Sequence, residues 1–298
     1  MSDFDVVVIG AGNAACCAAL AAAEEGARVL VLERAPRRES GGNSRFTAGA
    51  IRFAYEGVDD LMALMPDLTQ SEVSRTDFGT YTEEQFYDDM GRVTDYRTDP
   101  ELASFLVSES KRTVMWMRDH GVRFAPIWGR QAFQVDGRFK FFGGLTVEAW
   151  GGGEGLIGAL HSALKRTGVQ MWYDTTAKSL LFDGSSVIGV HARQLGNIVD
   201  IPAKCVVVAA GGFEANTEWR TRYLGPGWDL AKVRGTRFNT GDGIRMALDI
   251  GAMPYGNWSG AHAVAWEYNA PEFGDLAVGD AFQKHSYPFG IVLNNKGK

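Results

Sequence analysis

The first 33 residues constrain the fold more than any other part of the chain. The apolar run at positions 4–9 predicts a strand, Gly-Ala-Gly at 10–12 a tight turn, and the small residues after it a helix. A second apolar run at 27–32 predicts another strand, which ends on Glu33. Gly10 permits the turn, and Gly12 has no side chain to keep a pyrophosphate from the backbone. Glu33 stands where a carboxylate accepts ribose hydroxyls, so the pattern predicts an adenine dinucleotide and disfavours NADP, whose 2′-phosphate Glu33 would repel.

Composition excludes several classes of protein. A chain of 298 residues, 45% of them hydrophobic, is long enough for two domains or for one large domain with a full core. The formal net charge of −6, without a cluster of lysine and arginine, argues against nucleic-acid binding. No apolar run approaches the length of about 18 residues that a membrane-spanning helix needs. The N-terminus has no basic signal-peptide segment, so we expect a cytoplasmic protein.

The three cysteines show no metal-binding or redox spacing. Cys16 and Cys17 are adjacent and do not readily form a disulfide with each other, and Cys205 stands alone. We therefore expect small buried residues in a helix and a strand, and no metal site.

Apolar spacing and turn residues predict the remaining elements. Capping residues and helical spacing predict one helix that starts near position 82 and three others over 100–120, 155–167 and 242–250. The helix over 100–120 carries apolar residues at Leu102, Phe105, Leu106, Val114, Met115 and Met117. Short apolar runs between turn signals predict strands over 169–173, 177–182, 187–193, 198–202 and 204–210. Residues 53–80 show neither pattern, and we expect them to form irregular surface structure.

Later motifs follow the N-terminal one in an order that resembles a known family. They are Gly-Gly-Asn-Ser-Arg at 41–45, Trp-Met-Arg-Asp-His-Gly-Val-Arg-Phe at 116–124, Ala-Gly-Gly-Phe-Glu-Ala-Asn-Thr-Glu-Trp at 210–219, Arg-Gly-Thr-Arg-Phe-Asn at 234–239 and Asn-Thr-Gly-Asp-Gly at 239–243. Together these motifs resemble the flavoprotein family of fumarate reductase, succinate dehydrogenase and 3-ketosteroid dehydrogenase. Within that family, the chain is most similar to the FAD-dependent tricarballylate dehydrogenases.

The resemblance implies an α/β fold with two parts. A Rossmann-like FAD-binding domain, made of a parallel sheet with helices and a small antiparallel layer, is expected over residues 1–250, with a helical insertion at about 53–148. Residues 251–298 are expected to begin a capping domain that is truncated here. A strand at 291–293 and a turn at 295–297, with no return strand, fit that expectation. The family's catalytic arginine lies beyond residue 298, so the resemblance implies no catalytic residue within this chain.

The resemblance also implies the cofactor contacts. Asn43 and Ser44 stand in the region where some members carry a histidine that attaches FAD, so we expect FAD to be non-covalent. The implied contacts are Gly10, Gly12 and Ala14 at the pyrophosphate, Glu33 at the ribose with Arg34 next to it, Gly42, Asn43 and Ser44 near the phosphates and flavin, Ala48 and Gly49 at the isoalloxazine, Ala177 at the adenine, Ala210 and Gly211 along the dinucleotide, and Asp242 at the ribityl chain. Asp242, between two glycines at a helix start, is equally a good N-cap.

Two further residues are candidates for substrate binding. His262 stands where the family places a histidine that binds a substrate carboxylate, and Arg237 offers a bidentate fork for such a group. The alternatives are a structural histidine and a surface ion pair. No metal ligand is expected.

The implied activity is hydride transfer from a carbon next to a carboxylate to flavin N5. The substrate would be a small di- or tricarboxylate, and a membrane-associated electron-transfer protein would be the redox partner. Three alternatives stay open: a non-catalytic flavin-binding chain or interaction subunit, a 3-ketosteroid dehydrogenase-like enzyme, and an NAD-dependent dehydrogenase. The last is disfavoured because the later motifs have no role in it.

Overall fold

The computed structural model describes residues 4–279, 283, 289–294 and 296–298, which form one large sheet, two small sheets and the helices that cover them. The strands are β1 (Phe4–Ile9), β2 (Val29–Leu32), β3 (Ala50–Ile51), β4 (Thr76–Asp77), β5 (Phe124–Pro126), β6 (Ala132–Val135), β7 (Arg138–Phe141), β8 (Val147–Ala149), β9 (Gln170–Trp172), β10 (Thr175–Phe182), β11 (Val187–Gln194) and β12 (Asn197–Val208). The α-helices are α1 (Asn13–Glu24), α2 (Val58–Leu64), α3 (Gln70–Ser74), α4 (Glu83–Thr94), α5 (Pro100–Asp119), α6 (Trp128–Gln131), α7 (Gly152–Arg166), α8 (Thr217–Leu224) and α9 (Asp242–Asp249).

The large sheet has the strand order β10-β11-β12-β1-β2-β9. β12, β1, β2 and β9 run parallel, whereas β10, β11 and β12 form an antiparallel meander. In the parallel half, Val7 pairs with Val206 on one side and Leu30 on the other. This arrangement confirms the predicted α/β fold, a parallel sheet with an antiparallel layer.

The two strands predicted over 198–202 and 204–210 are wrong as separate elements, because β12 is continuous from Asn197 to Val208. Its first half pairs with β11 and its second half with β1, so one strand belongs to both parts of the sheet. Pro202, the last residue of the first expected strand, lies within β12 and pairs with Gly189. A Cβ on Gly189 would lie 2.3 Å from the Ile201 carbonyl oxygen, so the missing side chain is what lets the two strands meet there.

Both faces of the two central parallel strands, β1 and β2, are largely buried, as crossover helices require. Val8 and Val31 face a core that contains Ala15 of α1 and Leu160 of α7. Residues of alternate register, such as Val7 and Leu30, face a second core that includes Met246 of α9 and Ala177 of β10. β1 and β2 are therefore apolar at nearly every position because a hydrophobic core covers each face of these strands.

The expectation of irregular surface structure over residues 53–80 is wrong. This segment contains α2, α3 and β4, and its apolar side chains join the core shared with α1. Phe53, Leu61 and Leu64 are at most 1% exposed. Tyr55 is also buried, and its hydroxyl donates a hydrogen bond of 2.8 Å to the Phe78 carbonyl oxygen. The elements here are only two to seven residues long, so no helical or strand period has room to emerge.

The predicted helices are confirmed with small shifts of their ends. α5 begins after Asp99, whose carboxylate caps the helix, and is followed by Gly121 with a φ of +98°. Its buried stripe is Ala103, Val107, Ser110, Val114 and Met117, whereas Leu102, Phe105 and Leu106 are exposed. α7 starts three residues earlier than expected, at Gly152. None of the helices in the described residues combines the length and apolar composition needed to cross a bilayer.

The cysteines lie in the predicted elements, but one burial prediction is wrong. Cys16 is buried and Cys17 half-buried in α1, and burial raises the pKa of both thiols, that of Cys17 to about 11. Both are therefore protonated at neutral pH. Cys205 is exposed on β12, since an apolar run alone does not say how far the covering helices extend along a strand.

Residues beyond α9 follow an irregular path. The described part of 251–298 contributes no α-helix or β-strand, and the expected strand at 291–293 is wrong: those residues are irregular and exposed. The expected turn at 295–297 is only partly described, because Asn295 lies outside the described residues. Hydrogen bonds from Val233 to Glu272 (2.8 Å) and from Gly274 to Gly235 (2.9 Å) hold the segment against residues 233–235.

Leu160 offers a direct test of the core between α7 and the sheet. It is fully buried, so Leu160→Ala should lower the free energy of unfolding by about 2–5 kcal/mol through lost transfer energy and a residual cavity. Leu102→Ala makes the same chemical change at a side chain that is 67% exposed, and it should cost less than about 1 kcal/mol. Urea unfolding followed by circular dichroism measures both, and equal losses would contradict the described packing.

Candidate active site

A cleft opens at the carboxyl ends of β1, β2 and β12, the usual place for ligands in an open α/β sheet. The strand order places these three strands side by side, so the turns that follow them converge. The cleft is lined by residues from 9–14, 32–35, 39–44, 175–177, 209–211 and 236–246.

Most predicted cofactor contacts line this one cleft, although they come from distant parts of the chain. They are Gly10, Gly12, Ala14, Glu33, Arg34, Gly42, Asn43, Ser44, Ala177, Ala210, Gly211 and Asp242. The side chains at 177 and 210 are methyl groups, so these walls leave room for a flat group.

The turn between β1 and α1 fits a phosphate group. Gly10 has a φ of +112°, and a Cβ there would lie 2.4 Å from the Ala209 carbonyl oxygen. Gly12 is the N-cap of α1 and has no side chain of its own to cap the helix, while the Asn13 N–H is engaged by Ser44 Oγ. A Cβ on Gly12 would lie 3.3 Å from Ser44 Oγ, so a side chain at this position would narrow the space between the turn and Ser44. The backbone N–H groups and the positive end of the α1 dipole therefore face the cleft.

Glu33 is fixed at the end of β2, with only 6% of the residue exposed. Its Oε1 accepts a hydrogen bond of 2.7 Å from the Ala35 N–H. Burial raises the pKa of the Glu33 carboxyl, and the hydrogen bonds from Ala35 and Ala11 only partly oppose this shift. The carboxyl group thus stands in the cleft wall in one orientation, suited to accept ribose hydroxyls.

Arg34 links β2 to the segment that precedes α9. Its Nη1 lies 3.0 Å from the Phe238 carbonyl oxygen, 2.5 Å from Thr240 Oγ1 and 2.6 Å from Asp242 Oδ2. Thr240 Oγ1 also donates to Asp242 Oδ2 at 2.5 Å. The Asp242 carboxylate is therefore already engaged by two donors, and these contacts fix the cleft wall formed by residues 238–242.

Asn43 and Ser44 join separate segments of the cleft wall. Asn43 Oδ1 accepts a hydrogen bond of 2.9 Å from the Thr236 N–H and fills the space above Gly235, where a Cβ would be only 2.0 Å away. Ser44 Oγ accepts one of 3.0 Å from the Asn13 N–H. Both side chains hold the 42–46 turn in place, which the sequence did not indicate.

Sequence reasoning missed several residues that line the cleft, among them Glu39, Thr236, Phe238, Asn239, Thr240 and Met246. Asn239 is 7% exposed and so close to Gly211 that a Cβ there would lie 2.6 Å from Asn239 Nδ2. Thr236, Phe238 and Asn239 belong to the motif at 234–239, so the motif itself indicates them. The sequence prediction names only Arg237 from this motif.

Four predicted residues lie outside the cleft lining. Ala48 is half-buried and Gly49 buried in a loop that packs on the start of α7, where the Gly153 N–H donates to the Thr47 carbonyl oxygen at 2.9 Å. Arg237 pairs with Glu39, its Nη2 2.7 Å from Oε2, which is the ion pair weighed as the alternative. His262 is exposed in the irregular segment after α9.

Comparisons with known proteins agree with this geometry. A family model described as "FAD binding domain" matches residues 5–264. The NADH:fumarate oxidoreductase of Klebsiella pneumoniae is 27% identical over 250 residues, covering 84% of this chain and 24% of that protein. The vinyl phenol reductase of Lactiplantibacillus plantarum is 30% identical over 263 residues, covering 85% of this chain and 47% of that protein.

Among solved structures, the open conformation of a flavocytochrome c3 fumarate reductase matches with a TM-score of 0.66 and 26% identity. The match covers 84% of this chain and 41% of that one. The chain thus spans less than half the length of each of these three proteins.

Glu33 predicts a pH-dependent stability difference. Because its folded pKa is raised above 4.5, the folded state binds the proton more tightly, and the stability this contributes is lost as the pH rises through the folded pKa. Glu33→Gln keeps an oxygen for the Ala35 N–H but carries no charge, so it should gain stability over the wild type as the pH rises from 4 to 7. Urea midpoints at both pH values measure this. The exposed Glu25→Gln should show no such trend, and a parallel pH dependence of wild type and Glu33→Gln would contradict the assignment.

Proposed function

The chain belongs to the FAD binding domain family, and on that premise we propose that it is part of a flavoenzyme that oxidises or reduces a carbon–carbon bond next to a carboxylate. Its cofactor is FAD. The observation that carries the proposal is the cleft itself, in which a helix N-terminus with a glycine N-cap and a buried carboxyl group occupy the two places that an adenine dinucleotide requires. The family match over residues 5–264 supports the flavin form of that dinucleotide.

Each part of the cleft has a proposed task. The N–H groups at Gly12 and Ala14 bind the pyrophosphate, and Glu33 accepts the ribose hydroxyls. Arg34 and Asp242 hold the wall that lies along the ribityl chain. We further propose that FAD is non-covalent, with Ala48 and Gly49 near its isoalloxazine end. When bound, FAD supplies the acceptor for a hydride from the substrate, while the protein orients the two partners.

The proposed substrate is a small di- or tricarboxylate, in a reaction like that of tricarballylate dehydrogenase or fumarate reductase. The order of the motifs supports it, as does the similarity to the Klebsiella relative, an NADH:fumarate oxidoreductase. His262 and Arg237 are the proposed contacts for the substrate carboxylates. Arg237 would have to break its ion pair with Glu39 before it could bind such a carboxylate. The catalytic arginine is proposed to follow residue 298.

The proposed organisation is an FAD-binding domain over 1–250 and the start of a capping domain over 251–298. The 53–148 insertion is assigned to the first domain because its apolar residues share a core with α1. Electrons would pass to or from a membrane-associated protein.

A second candidate is a flavin-binding chain that does no chemistry without further polypeptide. Two observations favour it: the proposed substrate contacts lie off the cleft, and the matches cover less than half of each relative. The similarity to the vinyl phenol reductase also supports, as an alternative, a substrate that has no carboxylate group. A 3-ketosteroid would be a second substrate of that kind.

Loss of the Glu33 charge should weaken FAD binding. Replacing a charge-assisted hydrogen bond costs about 1.5–3 kcal/mol, so Glu33→Gln should raise the Kd for FAD by about 10- to 100-fold. Quenching of flavin fluorescence on titration with the apoprotein measures the Kd. Glu25→Gln, at the exposed end of α1, is the matched control and should bind like the wild type. An unchanged Kd in Glu33→Gln would remove Glu33 from the cofactor site.

The redox test separates the two candidate functions. Under anaerobic conditions, tricarballylate or succinate should bleach the flavin absorbance of an FAD-loaded dehydrogenase, and fumarate should restore it after reduction with dithionite. Free FAD is the control for direct chemistry. Bound flavin that responds to dithionite but to none of the carboxylates would support the flavin-binding chain and overturn the enzymatic proposal for these 298 residues.

A further inference from the structure

A second concave site lies behind the turn that carries Asn43 and Ser44. It is formed by the segment after β2, the outward face of α7 and the chain around β9. We call it the basic groove and define it by Arg37, Arg38, Arg45, His161, Lys165 and Tyr173. The 42–46 turn separates it from the cofactor cleft, since Asn43 and Ser44 line the cleft and Arg45 lines the groove.

The charge of the groove is opposite to that of the whole chain. Glu154 is the acidic residue among its lining, against four arginine or lysine side chains, in a protein with a formal net charge of −6. Arg45 is matched by Glu154, with Nη2 2.8 Å from Oε1. Arg38 pairs with Glu39 at 3.2 Å.

Two cations of the groove remain without an acidic partner. Within the part of the chain that the structure describes, neither Arg37 nor Lys165 has a carboxylate oxygen within 4.0 Å. Both side chains are exposed, Arg37 on the segment after β2 and Lys165 on the last turn of α7. Two unneutralised cations at the rim of one concave site attract an anion with more than one charge.

The groove also holds one neutral hydrogen-bond donor, the hydroxyl of Tyr173. Tyr173 is half-buried, and among the residues that the structure describes its hydroxyl donates to the weak acceptor Met171 Sδ, at 3.6 Å. Burial raises the pKa of Tyr173, so the hydroxyl keeps its proton at neutral pH. The hydroxyl of Ser162 on α7 already donates its proton to the Gly158 carbonyl oxygen, at 2.7 Å. A small oxyanion fits such a site, because an extended acidic surface would meet the rim but not the half-buried Tyr173.

We propose that the basic groove binds a small polyanion with at least two negative charges, either a phosphate compound or a di- or tricarboxylate. Arg37 and Lys165 supply the attraction, and Tyr173 donates to one oxygen of the anion. The site is separate from the FAD cleft and does not depend on the redox activity proposed above.

Isothermal titration with pyrophosphate and, separately, with citrate tests the proposal at constant ionic strength. Removing both free cations in Arg37→Gln/Lys165→Gln should weaken binding at least about tenfold, since each charged contact is worth more than a neutral one. Lys178→Gln/Arg193→Gln removes the same charge from exposed residues of β10 and β11, at the opposite edge of the sheet, and should stay within about threefold of the wild type. Tighter binding of pyrophosphate would indicate a phosphate compound, and tighter binding of citrate would indicate a di- or tricarboxylate.

Saturating FAD distinguishes the two sites. An anion bound in the cofactor cleft would be displaced by FAD and would be insensitive to Arg37→Gln/Lys165→Gln. An anion bound in the groove should persist with FAD present and be lost in that variant, while the variant's Kd for FAD stays unchanged. Failure of wild type to bind either anion, or equal weakening in both double variants, would overturn the proposal, whatever the outcome of the redox test.

Discussion

The close approach of the β1–α1 turn to the end of β12 is the constraint on which the rest of the site depends. Because Gly10 has no side chain, its backbone lies against Ala209, and the carboxyl ends of β1 and β12 meet with nothing between them. α1 then starts at the edge of the sheet, with glycine as its N-cap and its positive dipole end at the cleft. The parallel order of β12, β1 and β2 brings residues 209–211, 10–14 and 33–35 to the same edge. A site assembled in this way offers backbone N–H groups to the anion that we propose it binds, so it needs few special side chains.

The part of the fold that sequence predicted well is the part governed by local rules. β1, α1, β2 and Glu33 follow from apolar spacing, two glycines and a fixed distance, and the structure places them as expected. The errors arise where the cause is not local. Most apolar side chains of residues 53–80 are buried because a neighbouring sheet and helices cover them, and β12 is continuous because it has partners on both sides. Neither partner is visible in a window of ten residues.

The same distinction separates the two charged residues at the end of β2. The place of Glu33 could be predicted because its distance from the glycine turn is set by one helix and one strand. The contacts of Arg34 could not, since its partners Phe238 and Asp242 lie more than 200 residues away. Glu33 and Arg34 have opposite effects on the stability of the folded chain. A buried carboxyl with a raised pKa opposes folding at neutral pH, and the Arg34 contacts partly offset it by fixing the facing wall.

His161 connects the basic groove with the back of the β1–α1 turn. Its Nε2 lies 3.0 Å from the Ala11 carbonyl oxygen, and since a carbonyl only accepts, this nitrogen carries the proton. Burial lowers the pKa of His161, and the charges of Arg45 and Arg37 lower it further, so the ring is neutral. The Ala11 carbonyl belongs to the same peptide unit as the Gly12 N–H. A hydrogen bond to one end of a peptide polarises the other, so His161 makes the Gly12 N–H a stronger donor on the cleft side without adding a charge there.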